Sequence, residues 1–242
     1  MTFAVCKTCV NLILPSHLDT RWTSKYDRKR CMEMNTLNWI RSDVYEEMEQ
    51  AAKGKLRMIP GLWIDGKTYW MENGFKELFP EENISVHVKR DNVHSKISFF
   101  RSYITNHDDK PRNVKLLIQH KHEYSSREHF SFISPAENVI FHMADSKVFL
   151  VNGQLNGKKM AECSIQPYWN LYSDQIWKCR NKGILRYHPM VKGNAISIFV
   201  FNVGFEGKGT VEAESWIVSG DSKSELLRYN QLLLKKRTSI SI

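Results

Sequence analysis

Between residues 83 and 220, apolar and polar side chains alternate in one short segment after another. Ile84-Ser-Val-His-Val-Lys89 and Lys96-Ile-Ser-Phe-Phe-Arg-Ser-Tyr-Ile-Thr105 have the two-residue period of strands with one covered face. Residues 114–120, 130–133, 139–142, 147–151, 194–203 and 210–218 continue the series. Turn chemistry fills the intervals: Asn106-His-Asp-Asp-Lys-Pro111, Asn152-Gly153, Asn156-Gly157 and the glycine-rich stretch 204–209. Many short strands with turns between them, and no long helical periods among them, predict a mostly-β protein. The expected core is an antiparallel β-sandwich, Ig-like or jelly-roll-like, rather than a parallel α/β sheet. Alternation places Ile97, Phe99, Val114, Leu116, Ile118, Val148, Leu150, Ile198 and Val200 in one shared interior.

The flanks differ in texture. Leu37, Ile40, Val44, Tyr45 and Met48 recur at helical spacing, and Lys53-Gly54-Lys55 closes that pattern. Two apolar runs around Asp65-Gly66 predict a hairpin over residues 56–71, with the first run broken at Pro60-Gly61. Residues 75–79 read as one helical turn stopped before Pro80. At the other end, Ser222-Lys-Ser-Glu225 is a capping box. It is followed by Leu226, Leu227, Leu232, Leu233 and Leu234, which predict a final helix ended by Lys235-Lys-Arg237. The expected division is a small α/β N-terminal segment over 1–80, the sandwich over 81–220, and a C-terminal helix and tail over 221–242. Residues 1 to about 33 lack a hydrophobic period and are expected to be dispensable for folding.

A chain of 242 residues that is 42% hydrophobic can bury a sizeable core. The formal charge of +9 favours an anionic partner but says nothing about the fold. Five cysteines, an N-terminus without a signal-peptide pattern, and no apolar run long enough for a membrane span make the cytoplasm the expected compartment.

Candidate chemistry is sparse. Cys6-Lys-Thr-Cys9 has the spacing of two thiolates on one Zn²⁺, and His17 and Cys31 stand downstream to complete such a site. His120-Lys-His122 puts two imidazoles on one face of a strand, with Glu128, His129 and His142 following. This set resembles the first metal motif of the cupins, which implies a metal-dependent enzyme using His120 and His122. Glu128 stands farther along than that motif's glutamate, and the second motif is absent. The plainer expectation is two surface histidines on a solvent-facing strand. Pro167-Tyr-Trp-Asn-Leu-Tyr-Ser-Asp-Gln-Ile-Trp177 is dense in rings. Beside Lys178, Arg180 and Arg186 these rings could stack on a base or a sugar, or close one end of the sandwich. No phosphate loop, nucleophile elbow or His-Glu-x-x-His motif is present, and no cofactor is implied.

The sequence therefore predicts a non-catalytic protein-binding or assembly module, with Tyr168, Trp169, Tyr172 and Trp177 as its binding residues. A nucleic-acid-binding protein is the alternative, touching phosphates through Arg28-Lys29-Arg30 and Lys235-Lys236-Arg237. The cupin-like enzyme is a further one.

Overall fold

Two antiparallel sheets face each other across a continuous apolar interior. This computed structural model describes residues 54–235 apart from 125, 145 and 146, with the side chains of 92 and 93 also left out. Cys6, Cys9, the Arg28-Lys29-Arg30 segment, the helix predicted from Leu37, the dispensable stretch 1–33, and Lys236 and Arg237 lie outside the described residues.

The smaller sheet has five strands in the order β11-β15-β6-β1-β2. These are β1 (Leu56–Ile64), β2 (Lys67–Trp70), β6 (Arg112–His122), β11 (Glu162–Pro167) and β15 (Ala195–Phe205). The larger sheet runs β14-β7-β8-β9-β16-β5-β4-β3, with β10 (Lys158–Lys159) paired to β9. Its strands are β3 (Lys76–Phe79), β4 (Ile84–His94), β5 (Ile97–Asn106), β7 (Phe130–Ser134), β8 (Val139–Ala144), β9 (Lys147–Leu155), β14 (Met190–Lys192) and β16 (Gly209–Gly220). A small hairpin, β12 (Trp177–Cys179) with β13 (Ile184–Leu185), and one helix, α1 (Lys223–Lys235), complete the described chain. Among the described residues no helix is long and apolar enough to cross a membrane.

The β-sandwich and the C-terminal helix follow the sequence. Several boundaries do not. The 56–70 hairpin turns at Asp65-Gly66, both at positive φ. It is no part of a separate N-terminal segment, because β1 pairs with β6 from Leu56↔His122 to Trp63↔Lys115 and sits inside the five-stranded sheet. Pro60-Gly61 does not break β1. Pairing with β2 begins only at Gly61, and Trp70 lies so close that an added Cβ at Gly61 would be 2.6 Å from its ring. The turn predicted over 75–79 is strand β3, followed by a 3₁₀ turn at Pro80–Glu82.

The predicted single interior is in fact three clusters. Val114, Leu116 and Ile118 face the space between the sheets, with Phe199, Phe201, Ile84, Val86 and Val151. Ile97, Phe99, Val148 and Leu150 lie on the outer face of the nine-stranded sheet, under Leu226 and Leu233 of α1. Ile198 and Val200 lie on the outer face of the five-stranded sheet, with Trp63, Leu117, Ile196, Ile176, Trp177 and Leu185. A strand covered on both sides is apolar at odd and even positions alike, so its alternation no longer says which face is inner.

Candidate functional site

The segment that covers the five-stranded sheet leaves edge strand β11 at Pro167, makes a 3₁₀ turn at Tyr168–Leu171, forms the β12–β13 hairpin and returns to β14. Its underside is apolar and packed. Ile176, Trp177 and Leu185 are buried against Trp63, Ile196, Ile198 and Val200. Trp63 Nε1 donates to the Arg180 carbonyl at 2.8 Å. Gly183 follows at φ +58°, and an added Cβ there would meet the Trp63 ring at 2.6 Å, so a glycine is required on both counts.

Polar contacts fix the rest of this cover. Lys115 Nζ donates to the Gly183 carbonyl at 2.7 Å and to Glu162 at 2.9 Å, while Glu162 accepts from the Leu185 backbone N–H at 2.8 Å. Arg180 reaches the Gly66 carbonyl at 2.9 Å and Asp174 at 2.6 Å. Buried Gln166 ties both ends together: its Nε2 donates to the Arg186 carbonyl at 2.7 Å, and its Oε1 accepts from Asn170 at 2.9 Å.

On this fixed base the upper side carries rings. Trp169 is 62% exposed, Tyr172 71% and Tyr187 61%. Tyr168 is half-buried, and its hydroxyl meets that of Tyr172 at 2.6 Å, the two rings standing edge to face. The hydrogen bond to Tyr168, with a smaller contribution from burial, raises the Tyr172 phenol above its ordinary value. Lys121 Nζ sits 5.0 Å from the centre of the Tyr168 ring and 3.3 Å from its hydroxyl. Trp177, a predicted binding residue, is only 4% exposed and belongs to the core beneath these rings, so it offers no face to a ligand. Tyr187 escaped the sequence reading because its stretch joins this cover through contacts distant in sequence: Ser164 and Gln166 both donate to the Arg186 carbonyl, and the Arg186 N–H donates to the Ile176 carbonyl.

Beside Tyr168 opens a cleft of about 330 Å³ lined by Arg57, Lys121, His122, Glu123, Tyr168 and Asn194. It joins two sequence features that were predicted separately, the ring segment and the His-x-His pair. Arg57 arrives through the register of β1 against β6, which sets it opposite Lys121.

Behind the cleft lie the histidines. His120 and His122 are 0% and 7% exposed, which overturns the expectation of surface residues. Both point from β6 into the space between the sheets, toward His142 of β8 and His129, which precedes β7. Ring centres lie 4.5 Å apart for His122–His129, 5.4 Å for His122–His142 and 6.5 Å for His120–His142. His142 spends both ring nitrogens on hydroxyls, hydrogen-bonding Ser131 at 2.9 Å and Ser197 at 2.8 Å. Burial lowers the pKa of His120 to about 3. Burial first, and the neighbouring imidazoles second, hold His142 well below its ordinary value. Glu128, the carboxylate of the cupin-like pattern, is exposed and pairs with Lys192 at 3.5 Å. Among the described residues no group of three or more His, Cys, Asp or Glu is arranged to hold a metal ion. His120 and His142, whose pKa values are lowered, are tied to hydroxyls, both through Ser197 and His142 also through Ser131.

No protein-family model matches the chain, and no curated protein matches it. Solved structures do match. One is a bacterial glucoamylase complexed with acarbose, 12% identical with a TM-score of 0.52, covering 75% of this chain and 29% of that one. The chain thus spans less than a third of that protein's length, and what the two share is the fold.

Proposed function

We propose that this chain is a non-catalytic β-sandwich module that binds another protein through the corner formed by Tyr168, Trp169, Tyr172 and Tyr187. One observation carries the reading. Three large rings stand in water on a covering segment that is hydrogen-bonded in place and rooted by buried Trp177. Aromatic side chains held rigidly at the surface supply contact area at little entropic cost, and Trp and Tyr dominate the energetics of protein interfaces. The glucoamylase adds support of a weaker kind: there the same architecture is one part of a larger protein, as expected of an appended module. The unpaired thiols of Cys163 and Cys179 fit the reducing cytoplasm as its place of action.

The test is affinity purification with the tagged full chain, identification of the partner, and rebinding of the purified pair. Trp169→Ala/Tyr172→Ala should weaken that rebinding by about 30-fold or more, as expected when interface hot-spot rings are truncated. A partner that binds the variant as tightly as the parent chain, or the lack of any ring-dependent partner, would refute the proposal.

A further inference from the structure

The ring-bearing segment also carries a set of cations, three of which pair with no carboxylate among the described residues. Residues 167–192 hold five Lys and Arg (Lys178, Arg180, Lys182, Arg186 and Lys192) against a single carboxylate, Asp174. Asp174 is taken by Arg180, and Lys192 pairs with Glu128. Lys178, Lys182 and Arg186 enter none of the ion pairs among the described residues, and all three are exposed.

The β12–β13 hairpin carries part of this set. Trp177 and Leu185, directly paired, point down into the core. The pairing is irregular between Trp177 and Cys179 and β13 ends at Leu185, and around this buried pair Lys178, Lys182, Ile184, Arg186 and Tyr187 are all exposed. The exposed positions of this stretch are thus three cations, an apolar side chain and a ring, on a hairpin clamped by Trp63 and Lys115.

We propose that the protein partner docks an acidic face on this stretch, its carboxylates meeting Lys178, Lys182 and Arg186 while its apolar groups cover Ile184, Tyr187 and Trp169. The inference rests on the binding-module reading and deepens it by fixing the charge of the partner. Opposite charge across an interface steers encounter and selects the partner, and the pairing weakens with salt when the charges sit at a solvated rim. Arg beside Tyr and Trp is also the composition that distinguishes interface cores from ordinary surface.

The experiment uses the full 242-residue chain. The probes are a fluorescent oligoglutamate peptide and an oligothymidylate of matched charge, each titrated at low and at physiological salt. The peptide should bind at low salt, loosen as salt rises and bind more tightly than the oligothymidylate. Lys178→Glu/Lys182→Glu/Arg186→Glu should weaken the peptide by about tenfold or more. Lys110→Glu/Lys158→Glu/Lys159→Glu makes the same change in net charge at exposed sites elsewhere and should leave binding within about twofold. Three results would overturn the inference: no peptide binding at low salt, equal loss in both triple variants, or tighter oligothymidylate binding that is lost only with the 178/182/186 variant. If the peptide fails while the identified partner still depends on Trp169 and Tyr172, only the acidic partner is lost and the module reading stands.

Discussion

The two sheets are covered on their outer faces by different means. Over the nine-stranded sheet lies α1, which buries Leu226 and Leu233 and sets Asn230 between two neighbours. Asn230 Oδ1 accepts from Trp216 Nε1 at 3.0 Å and from Asn152 Nδ2 at 3.0 Å, so a buried indole N–H is satisfied from the helix. Apart from Leu232, its outward positions are polar or charged. Over the five-stranded sheet lies the 167–189 segment. It buries Ile176, Trp177 and Leu185 equally well but holds Trp169, Tyr172 and Tyr187 outward. Both segments solve the same packing problem. Only one leaves large rings in water on a fixed support, and packing alone gives no reason for that.

The largest expected effect comes from removing the buried indole under each cover. Trp216 is fully buried and stacks on Phe99 at 6.0 Å, and Trp177 fills the opposite cluster. Trp216→Ala and Trp177→Ala should each cost about 3–5 kcal/mol in urea unfolding. A loss under about 1 kcal/mol for Trp177→Ala would show that the ring-bearing segment is not part of the core, and would break the comparison.

Acid comes next. His120 is neutral in the fold, with its pKa lowered to about 3, and would protonate near 6.5 once unfolded. Between those values the unfolded chain binds more protons. Its contribution to stability is therefore complete above pH 6.5 and is lost as pH falls toward 3, at about 1.4 kcal/mol per pH unit. His142 adds to the loss in the same direction. Glu82 also weakens in acid, but only below its ordinary value of 4.5. Burial, the largest single influence, raises it, yet the hydrogen bonds from Tyr69 and Lys67 and the charges of Lys67 and Arg112 together bring it down. Urea titrations across this range should show stability already falling above pH 4.5, and His120→Leu should flatten that upper part of the slope. An unchanged slope in the variant would remove His120 as its source.

Asn230→Leu is a smaller change. It leaves the Trp216 N–H and the Asn152 amide without their shared acceptor and should cost about 1–3 kcal/mol, measured in the same unfolding experiment. Smallest of all is the stability effect of Trp169→Ala/Tyr172→Ala. Trp169 and Tyr172 sit mostly in water, so unfolding should shift by no more than about 0.5 kcal/mol.

Much of the sandwich could be read from side-chain alternation and turn chemistry. The segments later seen as β4, β5, β15 and β16, the Asp65-Gly66 turn and the start of α1 at Ser222 all carry their local signals in the sequence. The inner and outer faces of β15 could not be read, because Ile198 and Phe199 are equally apolar and are covered from opposite sides. The same limit reversed Trp177, whose ring looks like its exposed neighbours in sequence but points the other way. His120 and His122 stood out by spacing, yet their burial depends on β8 of the facing sheet bringing His142 over them, held to Ser197 of neighbouring β15. The cleft had no local signal at all, since Arg57 and Lys121 come from the ends of β1 and β6 and Tyr168 from the turn after β11, which meet only in the folded register.

The central claim is that the two covers differ in purpose. Hydrogen–deuterium exchange of the full chain, alone and with the purified partner in excess, tests it most directly. Protection should appear over 168–187, with α1 exchanging as it does in the free protein. Protection confined to α1, with 168–187 unchanged, would contradict the account.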